Sequence, residues 1–84
     1  MPTICVFYGI TIIMHLTDKE HNPPHIHAIY GEYEASFYIE TGDIFEGFFP
    51  SNGKKLVKEF VNINKTELLN MWDTGIYKKL EPIK

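Results

Sequence analysis

The segment HIHAIYGEYEASFY, residues 25–38, decides the fold of this chain. Two runs rich in β-branched and aromatic residues, 25–30 and 33–39, flank Gly31-Glu32. This pattern is typical of a β-hairpin with a two-residue loop. Such a loop sets three apolar cross-strand pairs on one face: Tyr30 with Tyr33, Ala28 with Ala35, and Ile26 with Phe37. We expect this face to pack on the core.

The opposite face of the predicted hairpin carries polar side chains. His27 is expected opposite Ser36, His25 opposite Tyr38 and Ile29 opposite Glu34, because alternate residues of a strand project from one face. A shift of one residue would bury both histidines and Glu34, so the register is well specified. We predict that this polar face is either exposed to solvent or functional.

The flanking residues extend the hairpin into a larger sheet. Runs 3–8 and 10–17 surround Gly9 and predict a first hairpin, and the run 43–49, closed by Pro50, predicts a fifth strand. Both faces of the first hairpin are apolar. Either this hairpin is central in the sheet and covered by helices on one side, or its second face is an oligomer interface, and the sequence leaves both open.

From Ser51 onward the apolar residues recur at helical spacing. Ser51 is the expected N-cap of a first helix, and Asn64, followed by Glu67, resembles the capping box of a second. Strands that precede helices favour α+β architecture. The prediction is a single α+β domain over residues 1–84. It has an antiparallel sheet of about five strands, two hairpins plus one strand, followed by two C-terminal helices packed on one face.

Composition and charge argue against several classes of function. No run approaches the roughly 20 apolar residues that a membrane-spanning helix needs. The formal net charge of -3 provides no general attraction to nucleic acid. The only basic cluster, Lys54, Lys55 and Lys58, is typical of the solvent-facing side of a helix. The single cysteine, Cys5, cannot form an internal disulfide, which favours a reducing, cytoplasmic location.

Three of the four histidines fall within residues 21–27, at the entrance to the third strand. Pro23 and Pro24 restrict the backbone φ angle and remove two N–H donors, so the approach to the strand should be stiff and extended. A stiff segment holds side chains in place, as a binding site requires. We therefore predict that His21, Asn22, Pro23 and Pro24 form a binding segment.

His25 and His27 also predict a metal site, because two histidines one residue apart on a strand project from the same face. Such a pair binds Zn²⁺ or another divalent metal when His15, His21 or Glu34 supplies a third ligand. The simpler interpretation is that both are exposed strand histidines, hydrogen-bonded across the hairpin, with no metal.

The same face allows a metal-free catalytic interpretation. His25 or His27 would act as general acid or base, Glu34 would orient the imidazole, and Tyr38 would donate to a phosphate or carbonyl oxygen. Every basic residue of the chain is lysine, so no arginine is present to clamp a phosphate with two hydrogen bonds. A catalytic and a non-catalytic function both remain open at this point.

Several short stretches together resemble one known family. They are Met1-Pro2-Thr3-Ile4, Phe7-Tyr8-Gly9-Ile10, residues 21–27, Tyr30-Gly31-Glu32-Tyr33, Glu46-Gly47 before Pro50, and Leu68-Leu69 with Trp72. The chain resembles the bacterial family catalogued as domain of unknown function 4160. The resemblance implies a small stand-alone protein of unestablished activity, often encoded beside a second small protein in a toxin–antitoxin-like arrangement. The family is not expected to require His15, which weakens that residue as a ligand.

Two functional hypotheses follow from the residues and the resemblance. In the first, the chain is a toxin-like component of a two-protein module that acts through residues 21–27 with Glu34 and Tyr38. In the second, it is a non-catalytic module that uses a sheet face to bind a small protein encoded nearby or a second copy of itself. A divalent metal is a possible cofactor of either.

Overall fold

The computed structural model of the chain describes residues 3–14 and 23–82. Within these ranges five strands precede two helices: β1 Thr3–Phe7, β2 Ile10–Ile13, β3 His25–Tyr30, β4 Tyr33–Tyr38, β5 Ile44–Phe48, α1 Ser51–Ile63 and α2 Lys65–Thr74. The strands form one antiparallel sheet in the order β1-β2-β3-β4-β5, so each pairs with its neighbour in sequence. The predicted α+β fold is confirmed. β2 is shorter than the expected run 10–17, of which residues 15–17 lie outside the described ranges.

The β3–β4 hairpin has the predicted register. Its pairs are Tyr30 with Tyr33, Ile29 with Glu34, Ala28 with Ala35, His27 with Ser36, Ile26 with Phe37 and His25 with Tyr38. β2 continues both faces, since Ile12 pairs with Ala28 and Ile13 with His27. Because a one-residue slip would exchange the two faces, this pairing fixes which side chains line the polar side.

The core joins the apolar face of the sheet to both helices. Phe7 of β1 stacks on Phe60 of α1, with ring centroids 5.1 Å apart. Phe49, just before α1, meets Phe37 of β4 edge-on at 5.6 Å. Helix α2 adds three buried side chains to the same cluster: Leu68, Met71 and Trp72. Neither helix of the described ranges has the length and apolar character needed to cross a membrane.

The two faces of the first hairpin have different surroundings. Its core face is buried and consists of Cys5, Phe7, Ile10 and Ile12. On the other face Ile13 is buried, whereas Val6 is 56% exposed. Helices therefore cover one side of this hairpin, as one alternative expected, but the hairpin is not central, because β1 is an edge strand. Val6 leaves an apolar spot on the second side.

Both helices begin without the side-chain caps expected from the sequence. Pro50 occupies the N-cap position of α1, Ser51 is its first helical residue, and no side chain caps it. Asn64 does stand at the N-cap of α2, but its Nδ2 donates to the carbonyl oxygen of Phe60 at 3.0 Å. The Asn64 side chain thus completes the end of α1, and the predicted capping box with Glu67 does not form.

The two edge strands of the sheet, β1 and β5, have different surroundings. The free side of β1 receives a hydrogen bond from the C-terminal segment, where the Leu80 N–H donates to the Ile4 carbonyl at 2.9 Å. In β5, Gly47 has a φ of 88°, and a Cβ there would stand 2.3 Å from the Glu34 carbonyl oxygen. Only glycine permits this close approach of β5 to β4.

Candidate functional site

His25 is a buried residue, with 2% of its surface exposed. Its Nδ1 lies 2.9 Å from the carbonyl oxygen of Pro23. Because a carbonyl only accepts hydrogen bonds, Nδ1 carries the proton and donates it to Pro23. Pro23 therefore fixes the orientation of the imidazole. The restricted backbone of Pro23 and Pro24 holds this carbonyl in place.

Aromatic rings surround the His25 imidazole on several sides. Its ring centroid lies 5.1 Å from that of Trp72, 5.4 Å from that of Phe45 and 5.1 Å from that of His27. Tyr38, the cross-strand partner of His25, stacks on Phe45 at 4.3 Å. The expectation that this end of the polar face is exposed is therefore wrong, because α2 and β5 bring Trp72 and Phe45 against it.

His27, by contrast, borders an open polar cavity of about 310 Å³. Its Nδ1 lies 3.2 Å from the Ser36 hydroxyl, which is the hydrogen bond predicted across the hairpin. The cavity is lined by His27, Glu34, Ala35, Ser36, Glu46 and Gly47. This His27 cavity is where the sheet presents polar side chains from three adjacent strands.

Two carboxylates give the His27 cavity its electrostatic character. Glu34 and Glu46 are both exposed, and Glu46 is paired with Ser36 across β4 and β5. The opening therefore carries negative charge, with an imidazole and a hydroxyl beside it. Such a site attracts cationic or hydrogen-donating groups and repels phosphate.

The sequence did not indicate Glu46 as part of the site. Hairpin patterns identify strands joined by short turns, and they do not show whether β5 pairs with β4 or with β1. The pairing with β4 places Glu46 beside Ser36. Glycine at position 47 was the available signal, since an isolated glycine in a strand often marks a close approach of two backbones.

Several of the remaining predicted residues lie at a different cavity from His27. Pro23, Pro24 and Tyr38 line a separate cavity of about 280 Å³ together with Glu40 and Thr41. His21 and Asn22 lie outside the described residues. The predicted set is thus divided: His27 and Glu34 share one cavity, Tyr38 and the two prolines share another, and His25 is enclosed between aromatic rings.

The metal site at His25 and His27 stays a prediction. Within residues 3–14 and 23–82, no group of three or more His, Cys, Asp or Glu side chains is arranged to hold a metal ion. Glu34 does not complete the pair, and the other two candidate ligands, His15 and His21, lie outside those ranges. A metal at this pair would need a further ligand from residues 15–22.

Most of the chain matches a known protein family. Residues 9–73 match the family model described as Domain of unknown function (DUF4160). The chain belongs to this family. The match confirms the resemblance inferred from the short stretches above, and it includes every residue of the His27 cavity. No curated protein and no solved structure matches the DUF4160 chain.

Proposed function

We propose that this chain is the toxin-like component of a bacterial two-protein module and that it acts through the His27 cavity. The observation that carries the proposal is the convergence of an imidazole, a hydroxyl and two carboxylates on one open cavity. A cavity on which several polar side chains converge is the default candidate for a binding or active site. The buried thiol of Cys5 supports a cytoplasmic location, where cysteines remain reduced.

Within this site we assign different roles to the predicted residues. His27 is the candidate acid or base that acts through the Ser36 hydroxyl, because its Nδ1 lies 3.2 Å from that hydroxyl while its Nε2 is buried. Glu34 and Glu46 are the candidate groups for a cationic or hydrogen-donating part of the target. We assign His25 a positioning role, since its ring lies against that of His27 and is itself enclosed.

The second candidate function is a non-catalytic module that binds a small protein partner or a second copy of the chain. Exposed apolar side chains favour it: Phe48 is 67% exposed beside Glu34, and Val6 is 56% exposed on the same face at the opposite edge of the sheet. Apolar side chains rimmed by charged ones are typical of protein–protein contact surfaces. In this case the cavity carboxylates would select a basic partner.

Growth after induced expression in a bacterial host tests the leading proposal. Wild type is compared with the double variant His27→Ala/Glu34→Gln and with Glu32→Gln, which removes one exposed carboxylate from the hairpin loop. Urea denaturation first establishes that all three proteins fold. We expect growth arrest by wild type and by the control, and growth by the double variant. Normal growth in all three cultures would contradict a toxin.

The binding alternative is tested separately on the purified protein. Light scattering reports self-association, and co-purification with the product of the neighbouring gene reports a protein partner. We expect Phe48→Ser to weaken any such complex, because it removes the most exposed phenylalanine of this face. A monomer that captures no partner, together with growth arrest by wild type, would favour the catalytic proposal over the binding one.

A further inference from the structure

A third cavity, of about 360 Å³, lies between the start of α1 and the loop before β5. Three lysines of α1, Lys54, Lys55 and Lys58, stand around it. It shares no lining residue with the His27 cavity. These lysines lie on the exposed side of the helix, as the sequence predicts, and there they border an open cavity.

The charge of this lysine cavity is only partly balanced by a nearby acid. Lys58 Nζ lies 3.1 Å from the Asp43 carboxylate, so these two side chains form an ion pair. Lys54 and Lys55 have no carboxylate partner among residues 3–14 and 23–82. The cavity is thus locally cationic in a chain whose formal net charge is -3.

The local sequence of α1 opposes the usual electrostatics of a helix start. The first turn of a helix favours acidic residues and a side-chain cap, because its N–H groups give this end a partial positive charge. Helix α1 has neither an acidic residue in its first turn nor a side-chain cap, and it places Lys54 there instead. This arrangement costs stability in the free protein, and an anion bound between the lysines would reverse the cost.

The floor of the lysine cavity is apolar. Phe37 and Ile44 form this part, Ile44 being half-buried at the start of β5. The volume falls in the range of small-molecule sites, and the combination of an apolar floor with cationic side chains suits a ligand of mixed character. Lysine is a common phosphate ligand that acts as a point charge.

From this geometry we infer that the lysine cavity binds a small phosphorylated molecule, with the phosphate at Lys54 and Lys55 and an apolar or planar part at Ile44. This inference goes beyond the proposed function, because it concerns a different cavity and a ligand of opposite charge. It assigns binding and no reaction. Free phosphate and a nucleotide share the phosphate chemistry, so the test includes both.

Isothermal titration calorimetry at low salt compares adenosine monophosphate, inorganic phosphate and adenosine. The variant Lys54→Gln/Lys55→Gln removes the two unpaired charges. The matched control, Lys65→Gln/Lys79→Gln, removes two exposed lysines that do not line the cavity and changes the net charge equally. Melting curves accompany every titration to show that each variant is folded. Both pairs of lysines are exposed, so neither variant should disturb the core.

We expect adenosine monophosphate to bind more tightly than phosphate, and adenosine to bind weakest. The cavity variant should lose at least about tenfold in affinity, and the control should lose much less. The melting temperature of the cavity variant should be equal to or above that of wild type, because unfavourable charge is removed from the helix start. Equal losses in the two variants, equal affinity for the nucleotide and phosphate, or no phosphate binding by wild type would each overturn the inference.

Discussion

The imidazole of His25 lies against the indole of Trp72, with ring centroids 5.1 Å apart and both residues buried. This contact joins the start of β3 to the end of α2. A histidine that the sequence places on a polar face thus takes part in the packing between sheet and helix. Burying the ring N–H of a neutral histidine costs free energy unless the N–H donates a hydrogen bond. In His25 it donates to the Pro23 carbonyl.

Replacing His25 should therefore damage stability more than replacing His27. We expect His25→Ala to lower the free energy of unfolding by about 2–4 kcal/mol, since it removes a buried ring and its hydrogen bond. His27→Ala should cost less, because that side chain is half-buried. Urea denaturation of the two variants measures the difference. Equal losses would contradict the enclosed position of His25.

Gly47 should tolerate no side chain. A Cβ at this position would stand 2.3 Å from the Glu34 carbonyl oxygen and 2.9 Å from the Ala35 Cα, with φ at 88°. We expect Gly47→Ala to cost about 2–4 kcal/mol, combining steric overlap with left-handed backbone strain. The matched control is Gly31→Ala, where φ is also positive but no atom lies within 4 Å. Gly31→Ala should cost only about 1 kcal/mol. Chemical denaturation measures the free energy of unfolding of both variants, and equal losses would disprove the close approach at Gly47.

Much of the sheet could be predicted because strand alternation has a strict period of two. Once Gly31-Glu32 was taken as the turn, all six pairs of the β3–β4 hairpin followed, and the structure has them. The environment of His25 could not be predicted in this way. It depends on Trp72, which is distant in sequence and reaches the strand only through the packing of α2.

The candidate site was predictable to a similar extent. His27, Glu34 and Ser36 share a face by alternation alone, and they share a cavity in the structure. Glu46 joins them through the pairing of β5 with β4, which local patterns do not determine. The Ser51 cap was also missed, because the helix begins one residue earlier than expected: Pro50 has the extended N-cap conformation, and its carbonyl accepts the hydrogen bond from the Lys54 N–H.

Cys5 should make stability depend on alkaline pH. Burial raises the pKa of its thiol above the ordinary value, because the thiolate is poorly solvated in the core. Above about pH 8.5, the ordinary thiol pKa, the unfolded chain loses this proton while the folded chain keeps it. The folded state then binds more protons, so stability falls as pH rises.

Melting temperatures from pH 7 to about pH 10 measure this dependence against the variant Cys5→Ala, which cannot ionise at that position. We expect a shallower alkaline decline in the variant, even though it starts from a lower stability at neutral pH. Native Cys5 should also react slowly with a thiol reagent until the protein is unfolded. Parallel declines in the two proteins would show that other groups control the alkaline transition.

A metal at His25 and His27 makes a prediction of its own. A metal that binds only the folded protein stabilises it, so its removal by EDTA should lower the melting temperature. Refilling with Zn²⁺ should restore the temperature in wild type and not in His27→Ala. Melting curves that coincide with and without EDTA would show that no metal stabilises this face.

The sequential order of the strands has a consequence for how the chain reaches this structure. Each strand pairs with the one next to it in sequence, so no crossover has to form before the sheet can grow. Folding slows as the sequence separation of contacting residues increases, since long loops must close before their contacts are gained. The β3–β4 hairpin can serve as a local nucleus to which the other strands add outward. A chain with this strand order should fold quickly after synthesis, so its unpaired strands are exposed to other chains for only a short time.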